Sequence, residues 1–115
     1  MNAPTRQQWD AAQAKYRELD KRLDTHRNAL SFKYGEAKWA SRTEKAQSEK
    51  LYAQMSRISD KIYAWLDAMT DRNWRSGVPS YWVPSSLSYD DARKPAGVPL
   101  SVVPPTSYGN TRPIT

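Results

Sequence analysis

Residues 51–69 read LYAQMSRISDKIYAWLDAM and residues 9–30 read WDAAQAKYRELDKRLDTHRNAL. In the first stretch Leu51, Met55, Ile58, Ile62, Trp65 and Met69 recur in steps of three and four, the spacing that keeps side chains on one stripe of an α-helix. Trp9, Ala12, Tyr16, Leu19, Leu23, His26 and Leu30 repeat in the same way, so two helices are predicted, over about residues 5–33 and 42–73. Pro4 ahead of Thr5 suits a helix start, where a missing N–H costs nothing. Ser41 and Glu44 have the spacing of a capping box, in which hydroxyl and carboxylate each satisfy an unpaired N–H of the first turn. Gly77, with Pro79 behind it, marks the predicted stop of the second helix.

Residues 31–40 contain Gly35 and form the predicted turn between the helices. At 1.5 Å per residue the first helix is roughly 43 Å long, and two arms of similar length fold back as an antiparallel hairpin. The seams then face each other, which makes Trp9, Tyr16, Leu19, Leu23, Leu30, Leu51, Met55, Ile58, Ile62, Trp65 and Met69 the helix-packing residues. Trp39, Tyr52, Tyr63, Leu66 and Trp74 lie off the seams. A two-helix unit has nothing to cover them. Copies of the chain, a groove on another protein, or the chain's own C-terminal arm are the candidate covers.

The chain has 115 residues, 18 Lys plus Arg against 12 Asp plus Glu, and a net charge of +6. A mean hydropathy of -0.89 leaves little material for a large core. No cysteine is present, which excludes disulfide scaffolds, thiolate metal sites and thiol catalysis. The longest apolar stretch, residues 63–66, is too short to span a bilayer, and residues 1–6 have no apolar signal region. A soluble protein of a virion or of the cytoplasm, neither secreted nor membrane-spanning, is therefore expected.

Composition changes near Gly77. Residues 1–75 carry 15 Lys plus Arg and 10 Asp plus Glu, whereas seven of the eight prolines lie beyond Ser76. Two units are expected: a helical hairpin over residues 1–76 and an extended arm with little regular structure over residues 77–115. Within the arm, GVPSYWVPSS at residues 77–86 is echoed by GVPLSVVPPT at residues 97–106, and a Ser-Tyr pair follows each copy, giving a quasi-repeat of 77–89 and 97–108. Proline fixes φ and biases the residue before it toward extended backbone, so each copy is predicted to be a stiff strand or polyproline segment displaying its apolar side chains. The arm is expected to dock on protein subunits through Val78, Pro79, Tyr81, Trp82, Val83, Pro84, Val98, Pro99, Val102, Val103, Pro104 and Tyr108. Two tethered copies would raise avidity on neighbouring subunits.

Little in the chain points to catalysis or to a cofactor. His26 falls on the first seam, where a structural polar role is expected over a general base. Asp90 and Asp91 are adjacent, so their side chains diverge, and a turn is expected there in place of a metal site. The glycines at 35, 77, 97 and 109 make no phosphate-cradling loop, and no serine stands in a Gly-x-Ser-x-Gly context. Basic residues are interleaved with acids through residues 15–24, the pattern of a solvated helix face. No enzyme, metal or cofactor is expected.

A short helical unit followed by a proline-rich strap resembles, in general architecture, the minor virion proteins of tailed phages: head completion, cement, portal-associated or internal core components. That layout implies a non-enzymatic subunit of a large symmetric assembly, oligomeric in context, that straps its neighbours with its C-terminal arm. The alternative is a small basic helical adaptor or regulator that binds nucleic acid or a nucleic-acid enzyme through its helices.

Overall fold

The computed structural model describes residues 2–105. Two long helices dominate it, α1 (Arg6–Tyr34) and α2 (Arg42–Met69), joined by a single 3-10 turn at Ala37–Trp39. Two short helices follow, α3 (Trp82–Ser86) and α4 (Tyr89–Ala92). The described residues are mainly helical and contain no strand.

Both long helices begin on a reciprocal cap. Ser41 Oγ accepts the Glu44 N–H at 3.2 Å while Glu44 Oε1 accepts the Ser41 N–H at 3.0 Å. Thr5 and Gln8 do the same at the start of α1, at 3.1 and 2.9 Å. Each pair satisfies N–H groups that have no partner inside the helix. At the other end of α1, Gly35 has φ 84°, a conformation strained for any residue with a Cβ, and its N–H still bonds the Ser31 carbonyl at 2.8 Å. The chain thereby leaves the helix and turns toward α2.

The helices run antiparallel with their seams in contact. Tyr16, Leu19, Leu23, Leu51 and Met55 form one apolar cluster in the middle of the hairpin. Trp9, Ile62 and Trp65 belong to a second cluster at its base, with the Trp9 and Trp65 ring centroids 6.2 Å apart. Leu30 is buried toward the tip, and Ile58 and Met69 are half-buried against the clusters.

Two expectations are corrected. First, α2 ends at Met69, not near Asn73. Thr70 leaves helical geometry, and its hydroxyl donates to the Lys94 carbonyl at 3.1 Å and accepts the Arg72 N–H at 3.1 Å. That exit lets Trp74 turn into the base cluster. Second, residues 77–92 are not an extended strap. Trp82, Val83, Leu87 and Ala92 are buried in the same cluster as Trp9, Tyr63, Leu66 and Trp74. Tyr63, Leu66 and Trp74, three of the five side chains left off the seams, and the apolar side chains of the tail cover one another, each losing contact with water, whereas Trp39 and Tyr52 stay exposed. Pro84, which was expected to hold the chain extended, sits at the third position of α3, inside the first turn, where its missing N–H has no helical partner to lose. The compositional boundary near Gly77 is therefore not a boundary between cores.

Candidate interaction surface

The tail is held on the hairpin by polar groups that could not have been assigned from spacing. Trp9 Nε1 donates to the Leu87 carbonyl at 2.9 Å. Gln13 is buried on the same face of α1, one turn further along, and its Nε2 donates to the carbonyls of Val83 (3.0 Å) and Leu87 (2.6 Å). Arg17, a further turn on, reaches the Ser85 carbonyl at 2.6 Å. Three consecutive turns of α1 thus satisfy carbonyls of α3 and of its C-cap residue Leu87, in a helix too short to satisfy them internally. Arg6 pairs with Asp90 at 2.5 Å, and this hydrogen bond holds the Asp90 carboxyl below its ordinary pKa.

A second clamp holds residues 94–102. Asp91 is 1% exposed, and its two oxygens accept the backbone N–H groups of Ser101 (2.9 Å) and Val102 (3.2 Å), with Lys94 Nζ at 2.9 Å. Burial pushes the Asp91 carboxyl up, but the bonds from Ser101, Lys94 and Val102 together outweigh it and bring it down to about 2. From the end of α2, the Arg72 guanidinium donates to the carbonyls of Lys94, Pro95 and Val98, and Asp71 accepts the Ala96 N–H at 2.9 Å. A carboxylate on one side and a guanidinium on the other fix a segment that has no helix or strand of its own.

The two copies of the echoed sequence therefore have different fates. Gly77 and Gly97 share a left-handed conformation, φ 83° and 89°. Beyond them the copies diverge. Trp82, Val83 and Pro84 of the first copy are buried, Val78 and Pro79 are half-buried, and of its apolar side chains only Tyr81 is largely exposed. In the second copy Val98 and Pro99 are exposed, Val102 is 58% and Val103 86% exposed, and Pro104 is half-buried. Of the expected partner-binding residues, Trp82, Val83 and Pro84 are thus inside the protein, as parts of its own core. Val98, Pro99, Val102 and Val103 stand on its surface, and Tyr108 lies outside the described residues. The signal that separates the copies is Trp82, whose large apolar area makes burial of the first copy worth more.

The hairpin tip carries a second set of exposed groups. Trp39 is 66% exposed beneath the Lys38 ammonium, 5.3 Å from its ring centroid. Arg27, Lys38, Lys45, Ser48, Glu49 and Tyr52 line a groove of about 370 Å³ floored by Leu30. Arg27 donates to the Tyr52 hydroxyl at 2.6 Å.

The titratable groups that drew notice in the sequence have structural partners. His26 is half-buried, with Nε2 at 2.9 Å from the Glu44 carbonyl, and so ties α1 to the first turn of α2. The Glu44 carboxylate accepts from the Tyr34 hydroxyl at 2.6 Å and from Ser41, and lies 3.3 Å from Lys33 Nζ. The Tyr34 bond leads the set that lowers its pKa to about 2. Among the described residues no three His, Cys, Asp or Glu side chains converge as metal ligands, and no helix is long and apolar enough to cross a membrane. No known protein family matches this chain, and no curated protein or solved structure matches it either.

Proposed function

We propose that this chain is a non-enzymatic structural subunit of a large symmetric assembly, of the kind found among minor tailed-phage virion proteins, and that it grips a neighbouring protein subunit with residues 98–105. The observation that carries this reading is the contrast between backbone and side chains at Val102 and Val103. Asp91 holds the backbone N–H groups of Ser101 and Val102, one residue short of Val103, while the side chains of Val102 and Val103 stand in solvent. An apolar segment already ordered loses less conformational freedom on docking than a free tail would. His26, Glu44 and Asp91 are committed to contacts that hold the fold, which fits a structural role.

The test is incorporation. Val102→Asp with Val103→Asp replaces two exposed side chains, so the purified variant should keep the helical content and melting temperature of the native chain. Purified particles made in the presence of each form are probed for the chain. Native protein in the particles and variant only in the soluble fraction supports the reading; equal incorporation, or absence of both, contradicts it.

A second reading, a basic adaptor that contacts nucleic acid, is favoured by the groove lined by Arg27, Lys38 and Lys45 beside Trp39 and Tyr52. It predicts binding to single-stranded oligonucleotide that weakens steeply with salt and that is lost on Lys38→Glu with Lys45→Glu.

A further inference from the structure

The backbone of residues 98–105 has almost no hydrogen-bond donor left to offer. Pro99, Pro104 and Pro105 carry no N–H. Asp91 takes the N–H groups of Ser101 and Val102, at 2.9 and 3.2 Å, and the Pro95 carbonyl takes that of Val98 at 3.2 Å. Within this segment only the N–H groups of Leu100 and Val103 have no acceptor among the described residues. Acceptors are more plentiful. Arg72 holds the Val98 carbonyl, but among the described residues no hydrogen bond reaches the carbonyls of Ser101, Val102 or Val103.

A strand that joins a sheet offers the N–H and C=O of every second residue to its neighbour. One edge of this segment would offer Pro99, Ser101, Val103 and Pro105, and the other Val98, Leu100, Val102 and Pro104. Val103 on the first edge and Leu100 on the second are each flanked by residues that have no N–H to give. Neither edge can carry a ladder of main-chain bonds. The local sequence favours a different geometry: Val103 and Pro104 each precede a proline, which biases both toward polyproline backbone, and the two prolines have φ fixed near -65°. Val102 is 58% and Val103 86% exposed, and Pro104 and Pro105 are half-buried. What the segment presents is therefore apolar side chains and carbonyl oxygens.

We propose, on the footing that residues 98–105 dock on a neighbouring subunit, that the surface receiving them is a groove of Tyr and Trp side chains that takes Val102-Val103-Pro104-Pro105 as a polyproline segment, and not the free edge of a sheet. Aromatic rings pack on Val and Pro, while a Tyr hydroxyl or a Trp indole N–H on the partner supplies the donor that the carbonyls lack. The four residues span about 12 Å at about 3.1 Å each, a little over one turn. Asp91 fixes the near end of the segment and the prolines stiffen the far end, so little conformational freedom is lost when the groove closes on it.

Two full-length variants separate the two modes of docking. Val103→Pro removes the one free N–H of residues 101–105 and keeps polyproline geometry. Pro104→Ala with Pro105→Ala does the reverse, adding two N–H groups and removing the stiffening. Particles are made in the presence of equal amounts of native chain and one variant, and mass spectrometry reads the ratio incorporated. Val103→Pro should enter within about threefold of the native chain, and the double alanine variant should be depleted about tenfold or more. Loss of Val103→Pro, or native-like entry of the double alanine variant, overturns the aromatic groove in favour of main-chain pairing, while the docking of residues 98–105 stands as long as Val102→Asp with Val103→Asp is still excluded. If that aspartate variant enters as the native chain does, or the native chain itself is absent from the particles, the docking falls and the groove falls with it. Hydrogen exchange at the Ser101 and Val102 amides of the free variants checks that the Asp91 clamp is intact; should Val103→Pro loosen it, the double alanine variant alone decides.

Discussion

Trp9 and Leu87, 78 positions apart in the sequence, are joined by a buried 2.9 Å hydrogen bond from the indole N–H to the backbone carbonyl. The bond ties the first turn of the long hairpin to the segment that closes its base. Another indole in the same cluster has no such bond: Trp74 Nε1 is buried and finds no acceptor among the described residues.

The two indoles yield a paired prediction. Trp9→Phe removes a satisfied donor and ring volume together, and should cost about 2–4 kcal/mol. Trp74→Phe also removes ring volume but relieves an unsatisfied donor, so it should cost at least about 1 kcal/mol less. Urea unfolding of both variants measures the difference.

Trp82→Ala separates a core residue from a docking residue. Opening a cavity beneath α3 should cost the isolated chain about 3–5 kcal/mol. Tyr81→Ala, one position earlier and largely exposed, should cost under about 1 kcal/mol. Equal small losses in denaturant melts would mean that Trp82 is not part of the core.

Much of this arrangement was legible in advance, and the reasons it stopped being legible are local. The seams fixed the hairpin because Leu19, Leu23, Leu51, Met55 and Ile62 can share one face only if the helices pack together. The cap at Ser41 and Glu44 was readable because both partners lie within one turn. The tail was not, because Pro79 and Pro84 point to extended backbone if taken alone. Pro84 is acceptable in α3 because of its place in the first turn, and Gln13 and Arg17 satisfy carbonyls of α3 while Trp9 satisfies that of Leu87 just beyond it. Of the five side chains that lie off the seams and call for a cover, Trp39 and Tyr52 stay exposed, and Tyr63, Leu66 and Trp74 are buried. Their cover is the chain's own tail, a choice that depends on the excess of apolar area in Trp82 and Leu87 over that in Val102 and Val103.

Acid should release the second clamp. The Asp91 carboxyl is held at about 2, below its ordinary 3.8, so its contribution is fully present above the ordinary value and is lost as pH falls from about 4 through about 2. Asp91→Asn should weaken the same contacts at neutral pH, at a cost of about 1–3 kcal/mol, and should flatten the dependence of stability on pH below about 4. Melting temperatures from pH 7 to pH 2 check both the sign and the window.

Tyr34→Phe isolates the leading cause of the Glu44 shift. Without the phenolic donor, the Glu44 carboxyl should titrate closer to its ordinary 4.5 and no longer at about 2. Carboxyl-carbon NMR across pH 1–6 reads the midpoint. An unchanged midpoint would assign the shift to Ser41 and Lys33 instead.

Amide hydrogen exchange on the isolated, monomeric chain at neutral pH is the most direct measurement of how the base is closed. The Ala92 N–H, bonded to the Ser88 carbonyl, and the Ser101 and Val102 N–H groups, bonded to Asp91, should all be protected in the native chain. Protection at Ser101 and Val102 should fall selectively in Asp91→Asn. If these three amides exchange at unfolded-chain rates while α1 and α2 remain protected, the tail does not fold onto its own hairpin and the account is wrong.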